Sequence, residues 1–194
     1  MMSVVSSSNF LKVLNSIMDI DSAIKGRRSI RTYKSDEIDE KLVRDIIEAA
    51  TYAPSAKNGQ QWRFTVLTGD SKNKFTDMYR SELGKLTLDV GSSFGSCTMM
   101  EEAPVVIVVW NTNERGWTTE IHSVSAAIQN LLLKAHALGL GTCWIGDIFY
   151  TYEAIMNYFK KPWKLLAAIT MGWPDVNPGP RPRLSVDDVT EFFD

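Results

Sequence analysis

Apolar residues recur along the chain at two spacings, and the changes between them mark out its elements. Asn9 can cap a short helix on which Phe10, Leu14 and Ile17 share a face. A second short helix is expected over Asp21–Arg28, followed by an extended polar segment, Ser29–Asp39. Asp39 can cap the next helix, where Leu42, Val43, Ile46, Ile47 and Ala50 repeat at three- and four-residue intervals. That helix must stop before Pro54, because a residue preceding proline avoids the α region. Pro54–Gln61 then forms a loop. Trp62, Phe64 and Val66 alternate with Arg63 and Thr65, the period of a strand.

Gly69-Asp70 turns the chain into a helical stretch over about Ser71–Leu86, and Gly91–Ser96 reads as a loosening point. Val105–Trp110 is an unbroken β-branched run, the signature of a central strand buried on both faces. After the polar loop Asn111–Gly116, Val124, Ile128, Leu131, Leu132 and Ala135 line one face of a long helix, Thr118–Leu138, which Gly139 ends. Thr142–Ile145 reads as a short buried segment, Tyr152–Phe159 as a helix and Leu165–Met171 as a strand. Pro174, Pro178, Pro180 and Pro182 force Trp173–Arg183 into an extended path. Its continuation, Leu184–Asp194, carries Phe192 and Phe193, an apolar tip that needs a dock on a partner subunit or on its own domain. Helices and strands mix without strict βαβ alternation, which favours an α+β fold.

Composition narrows the function classes. The 194 residues suit one domain, and 44% hydrophobic with 23% charged residues is ordinary globular usage. A net charge of −2, from 21 basic and 23 acidic residues, gives no general attraction to nucleic acid or anionic membranes. No apolar run nears the roughly 20 residues that span a bilayer. Cys97 and Cys143 have neither CxxC spacing nor a nearby histidine pair, so a structural zinc site is not expected and buried free thiols are. Residues 1–9 lack the charge and apolar run of a signal peptide, and a cytoplasmic protein is the expectation.

Candidate chemistry lies in four places. No phosphate-cradling GxGxxG or GxxxxGK[ST] and no GxSxG elbow is present. His122 and His136 read as structural, so an enzyme built on this chain would take its reactivity from a cofactor. Arg27-Arg28-Ser29-Ile30-Arg31 and Arg181-Pro182-Arg183 are either solvated surface or two halves of a site for one small anion, since guanidinium forks match phosphate oxygens. Ala53–Trp62 offers amides and hydroxyls at short spacing, as a self-capped loop or as a grip on a flat polar ring. Gly139–Asp147 is a helix end followed by a strand, or glycines that let backbone approach a ligand closely.

Taken in order, Ile24–Tyr33, Ala53–Trp62, Gln129–Leu133 leading into Gly139–Gly146, and Arg181–Leu184 resemble the nitroreductase family of FMN-dependent oxidoreductases. The resemblance runs over about 18–194 and leaves 1–17 as an N-terminal extension. It implies an α+β homodimer with a central, mainly antiparallel sheet flanked by helices, exchanged C-terminal arms, and FMN at the subunit interface. By motif position, Arg27, Ser29, Arg181 and Arg183 would bind the FMN phosphate, flanked by Arg28. Arg31 would lie near the pyrimidine edge. Pro54, Ser55 and Asn58 would contact FMN from the other subunit. Trp144, Ile145 and Gly146 would cover one ring face, with a backbone N–H near Gly146 or Asp147 at flavin N5. No catalytic side chain is implied, because N5 passes hydride from NADH or NADPH to nitroaromatic, quinone, flavin or activated-alkene acceptors in a ping-pong cycle. A carrier or sensor without turnover, a dehalogenase and a flavin-consuming enzyme are the alternatives. Two features depart from the family pattern. Gln61 stands where many members have proline, which should loosen that turn. The Asn111–Glu120 stretch is short where larger members carry a helical excursion over the substrate pocket, which implies an open site.

Overall fold

The computed structural model describes residues 18–193; the expected Phe10–Ile17 helix lies outside them. Its helices are α1 (Ile20–Gly26), α2 (Glu40–Thr51), α3 (Gly69–Leu83), α4 (Gly91–Glu102), α5 (Thr118–Ala137) and α6 (Tyr152–Phe159). Its strands are β1 (Trp62–Thr68), β2 (Val105–Asn111), β3 (Gly141–Ile145) and β4 (Lys164–Gly172). They form one antiparallel sheet in the order β1-β2-β4-β3. The architecture is the expected α+β one.

Every residue of β2 is buried because helices cover both faces of the sheet. Val105, Ile107 and Val109 join Ile169 and Met171 of β4 in a core closed by α2 and α5. Val106, Val108 and Trp110 point the other way, into a second core with Phe75, Tyr79, Met100 and Ile155 of α3, α4 and α6. The period of two in a strand turns one apolar run into two cores. Among the described residues no helix is long and apolar enough to cross a membrane.

Several boundaries move for physical reasons. α1 ends at Gly26, so Arg27 and Arg28 follow the helix instead of closing it. α3 runs over Gly69–Leu83, not Ser71–Leu86: Thr68 and Ser71 form a reciprocal capping box that starts it early. Gly91–Ser96 is not loose. It is the first half of α4, with Ser93 fully buried and Ser96 buried as well. In β1 the buried residues are Trp62 and Leu67, while Val66 is 40% exposed, so the strict alternation fails at this edge strand. In β3, Trp144 is 38% exposed between buried neighbours.

Candidate functional site

Two segments flank the edge strand β3. Ser29 bridges Thr142, and the Ile30 N–H donates to the Thr142 carbonyl at 2.9 Å. The buried Tyr33 hydroxyl donates to the Ile30 carbonyl at 2.6 Å and lies 2.7 Å from Thr170 Oγ1. Tyr33 also bridges Pro174, Lys34 N–H donates to the Trp173 carbonyl and Asp175 N–H to that of Thr32. The 27–34 segment is thereby strapped between β3 and the chain leaving β4. The strap is close: a Cβ at Gly141 would stand 2.7 Å from Ile30 Cβ, and one at Gly172 would meet Tyr33 and Pro104 at 2.7 Å.

This strapping places the basic residues. Arg28 Nη1 donates to the Lys25 carbonyl at 2.7 Å, and its Nε donates to the Gly179 carbonyl at 3.3 Å, tying the proline-rich arm to the end of α1. Further along that arm, Arg183 Nη1 donates to the Pro182 carbonyl at 3.1 Å. Burial, followed by the nearby Arg183 and Arg28 guanidiniums, pushes Arg27 below the ordinary arginine range. Among the described residues neither Arg27 nor Arg183 forms an ion pair. His136, against Gly26, is held below the ordinary histidine range by burial and then by Arg27 and Arg28. It therefore stays neutral and adds no further positive charge. A cleft of about 490 Å³ opens beside these groups, its wall carrying Arg27, Arg28, Lys34 and His136 against Asp175.

Cys143, beneath Arg27 and Arg31, has its thiol pushed up by burial, with those two cations partly offsetting the rise. Both cysteines are free and buried. Gly146 is exposed just past the last paired residue of β3, and a Cβ there would meet nothing within 4 Å. Asp147 accepts from Ser96 Oγ at 2.9 Å through Oδ2, while its buried Oδ1 has no partner. Arg31 is exposed, its Nη1 donating to the Ser29 carbonyl at 3.4 Å.

The structure does not bring all the expected site residues together in one chain. Arg27, Arg28, Ser29, Arg31, Trp144, Ile145 and Gly146, with the arm carrying Arg181 and Arg183, lie at the β3 edge. Pro54, Ser55 and Asn58 precede β1, at the opposite edge. Three strand spacings of about 4.8 Å separate the two edges. Residues 175–193 of the arm are exposed throughout, with Leu184, Phe192 and Phe193 each more than 70% exposed.

The Pro54–Gln61 loop is firmly held. Ala56 N–H donates to Ser123 Oγ at 3.2 Å, and Gln60 N–H donates to Ser55 Oγ at 3.1 Å. Gln61 is anchored through its main chain, whose carbonyl accepts from Thr112 N–H at 2.9 Å, while both polar atoms of its buried side chain lack a partner. Lys57, Asn58 and Gln60 all take left-handed backbone angles, with φ of 52°, 52° and 48°. The sequence reading missed the neighbours of this loop. Lys57 Nζ lies 4.8 Å from the Trp117 ring centre and Arg115 Cζ 5.4 Å from it. Lys57 stood in a quoted motif, but no local pattern ties it to Arg115 and Trp117.

Comparison with known proteins bears on this geometry. The nitroreductase family model matches residues 24–173. A protein of Methanothermobacter thermautotrophicus, provisionally named NADH dehydrogenase/NAD(P)H nitroreductase, is 32% identical over 89% of this chain and 86% of its own length. The 4-nitrobenzoate reductase of a Nocardioides species is 42% identical over 85% of this chain and 84% of its own. A provisionally named nitroreductase of Desulfovibrio desulfuricans, solved in complex with FMN, superposes with a TM-score of 0.75 at 30% identity, covering 92% of this chain and all of that one.

Proposed function

The chain belongs to the nitroreductase family, and from that premise we propose that it is an FMN-dependent NAD(P)H oxidoreductase working as a homodimer. We read 18–194 as the FMN-binding domain and 1–17 as an extension to it. The observation that carries the reading is that Arg28 ties the arm bearing Arg181 and Arg183 to the end of α1 beside Arg27, and that among the described residues no carboxylate is paired with Arg27 or Arg183. Several arginines gathered at one edge with no carboxylate partner suit an anion, and a phosphate monoester matches guanidinium forks. The surroundings of Gly146 are open, since a Cβ there would meet nothing within 4 Å, so a flat ring could approach that backbone.

When bound, FMN would supply the hydride chemistry that links NADH or NADPH to an acceptor in a ping-pong cycle. The chain's own residues bind and orient. Arg27, Ser29, Arg181 and Arg183 would hold the phosphate, with Arg28 fixing the arm beside them. Arg31 would supply positive charge at the pyrimidine edge, and Trp144, Ile145 and Gly146 would cover one ring face. Pro54, Ser55 and Asn58 lie at the far edge of the sheet, so they would serve the site of a partner subunit. A second copy also suits the exposed apolar end of the arm. Nitroaromatics, quinones, free flavins and activated alkenes are the acceptor classes we assign to the open site. The free, buried thiols suit a reducing cytoplasm.

The test is an absorbance spectrum after incubation with FMN and desalting, followed by anaerobic NADH or NADPH. Retained flavin that bleaches with either donor, and is recoloured by menadione or a nitroaromatic, is the expected result. Flavin retained without bleaching would replace an oxidoreductase with a carrier or sensor. Flavin destroyed under donor and air would mean flavin-consuming chemistry. A folded chain that keeps no flavin would refute the proposal.

A further inference from the structure

The rim beside the Pro54–Gln61 loop carries a group of side chains that flavin binding does not use. Lys57 and Arg115 come from segments far apart in sequence, yet both cations lie over the same half-exposed indole, Trp117, at 4.8 Å and 5.4 Å from its centre. Among the described residues neither is in an ion pair. The arrangement is built. Lys57 is held in a left-handed conformation by a loop anchored at Ser55, Ser123 and Thr112. Arg115 is anchored through its backbone N–H, which donates at 2.9 Å to Oε1 of the fully buried Glu120, and Glu120 N–H returns a bond to the Trp117 carbonyl at 3.0 Å. Lys57 lies on the same turn as Ser55 and Asn58, so in the proposed dimer the group would border the flavin site of the partner subunit.

We propose that Lys57, Arg115 and Trp117 form a selectivity rim for electron acceptors that join an aromatic ring to a carboxylate. An aromatic ring can pack against the exposed part of the indole that the cations leave open, and a carboxylate can answer Lys57 or Arg115 with charge-assisted hydrogen bonds. A neutral ring of the same shape gains only the first contact. The proposal rests on the flavoenzyme reading above and adds the acceptor class to it.

The experiment compares 4-nitrobenzoate with its neutral isostere 4-nitrobenzamide. Equilibrium dialysis against the FMN-incubated, oxidised protein, without donor, measures binding independently of turnover, and kcat/KM for the two acceptors follows. The carboxylate should be preferred by about tenfold or more, less so at high ionic strength. The double variant Lys57→Gln, Arg115→Gln should bring that ratio close to one, and Trp117→Leu should weaken both ligands together. Ratios cancel any loss common to both acceptors. No preference in the wild type, or a preference that survives the double variant, overturns the proposal. So does a variant that shifts KM for NADPH against NADH while the acceptor ratio stands, since the cations would then serve the donor's phosphate. Flavin retention is read on the same samples. Its absence refutes the preceding reading, while the dialysis ratio still decides whether the rim selects the carboxylate.

Discussion

Two glycines of one short segment should respond to alanine in opposite ways. At Gly141 the added Cβ would stand 2.7 Å from Ile30 Cβ and Cγ1 and 2.8 Å from its Cγ2. Carbon atoms rest about 3.5–4.0 Å apart, so the strap carrying Ile30 must retreat from β3 by roughly 1 Å. That stretches the 2.9 Å bond from Ile30 N–H to the Thr142 carbonyl out of hydrogen-bonding range. Losing that bond costs about 1 kcal/mol, and the remaining overpacking about 1–3 kcal/mol. The sum, about 2–4 kcal/mol, lowers the melting temperature by about 4–16 °C in a chain of this size. The same retreat carries Arg27, Ser29 and Arg31 with it. Displacing one charged phosphate contact, worth about 1.5–3 kcal/mol, weakens FMN by roughly ten- to a hundredfold. At Gly146 the added Cβ meets nothing within 4 Å, and φ is an ordinary −93°. Gly146→Ala should therefore change stability by no more than about 0.5 kcal/mol while obstructing the ring face, so flavin is lost without loss of fold. The assay is thermal melting at one protein concentration, with and without FMN, together with fluorimetric FMN titration. A Gly141→Ala protein that melts and binds flavin like the wild type would refute the close-approach argument. A Gly146→Ala protein with full flavin affinity would remove the ring from that face.

Arg27→Ala and Arg183→Ala should each weaken FMN by about ten- to a hundredfold yet leave the flavin-free protein as stable as before or more so, because each relieves a like-charge approach; a parallel drop in flavin-free melting temperature would contradict the anion site. The Cys97 thiol, pushed up to about 12 by burial and then by Glu101, should resist thiol reagents in the folded protein at pH 8 and react on denaturation. Because the folded state holds that proton more tightly than the unfolded chain, whose thiol titrates near 9, the contribution is whole below about pH 9 and fades as pH rises toward 12. Urea melts of wild type and Cys97→Ala across that range would show it, and identical pH slopes would disprove it. Lys72 donates from Nζ to the Glu101 and Ala103 carbonyls, the latter at 2.9 Å, closing the end of α4. Lys72→Met should cost about 1–3 kcal/mol by leaving those carbonyls unpaired, and an unchanged urea midpoint would show that water replaces it.

Helix α2 and strand β2 were legible in the sequence because their reasons are local. Asp39 accepts from Lys41 N–H at 2.7 Å, as its capping position implies. The apolar run of β2 could only be covered on both faces. Gly91–Ser96 reads as a loop because glycine and serine have weak helix propensity, while burial of Ser93 and Ser96 against the rest of the domain holds them in α4. The start of α3 was misplaced because a reciprocal cap outweighed the pattern of its first turn. Of the candidate site, the residue types and their order were visible, and the family resemblance named them. Nothing in the order showed that Pro54, Ser55 and Asn58 stand at the opposite edge of the sheet from Arg27 and Trp144.

The sequence by itself determined the elements, the two-faced central strand and the basic residues able to meet an anion, since periodicity, capping and side-chain chemistry act over a few positions. Only the tertiary structure decided that Arg28 holds the arm of Arg181 and Arg183 at the end of α1, that Ile30 presses on Gly141, and that Lys57 and Arg115 converge on Trp117. Those meetings depend on strand order and on straps between distant segments. They are set by how the layers pack, which no local pattern encodes.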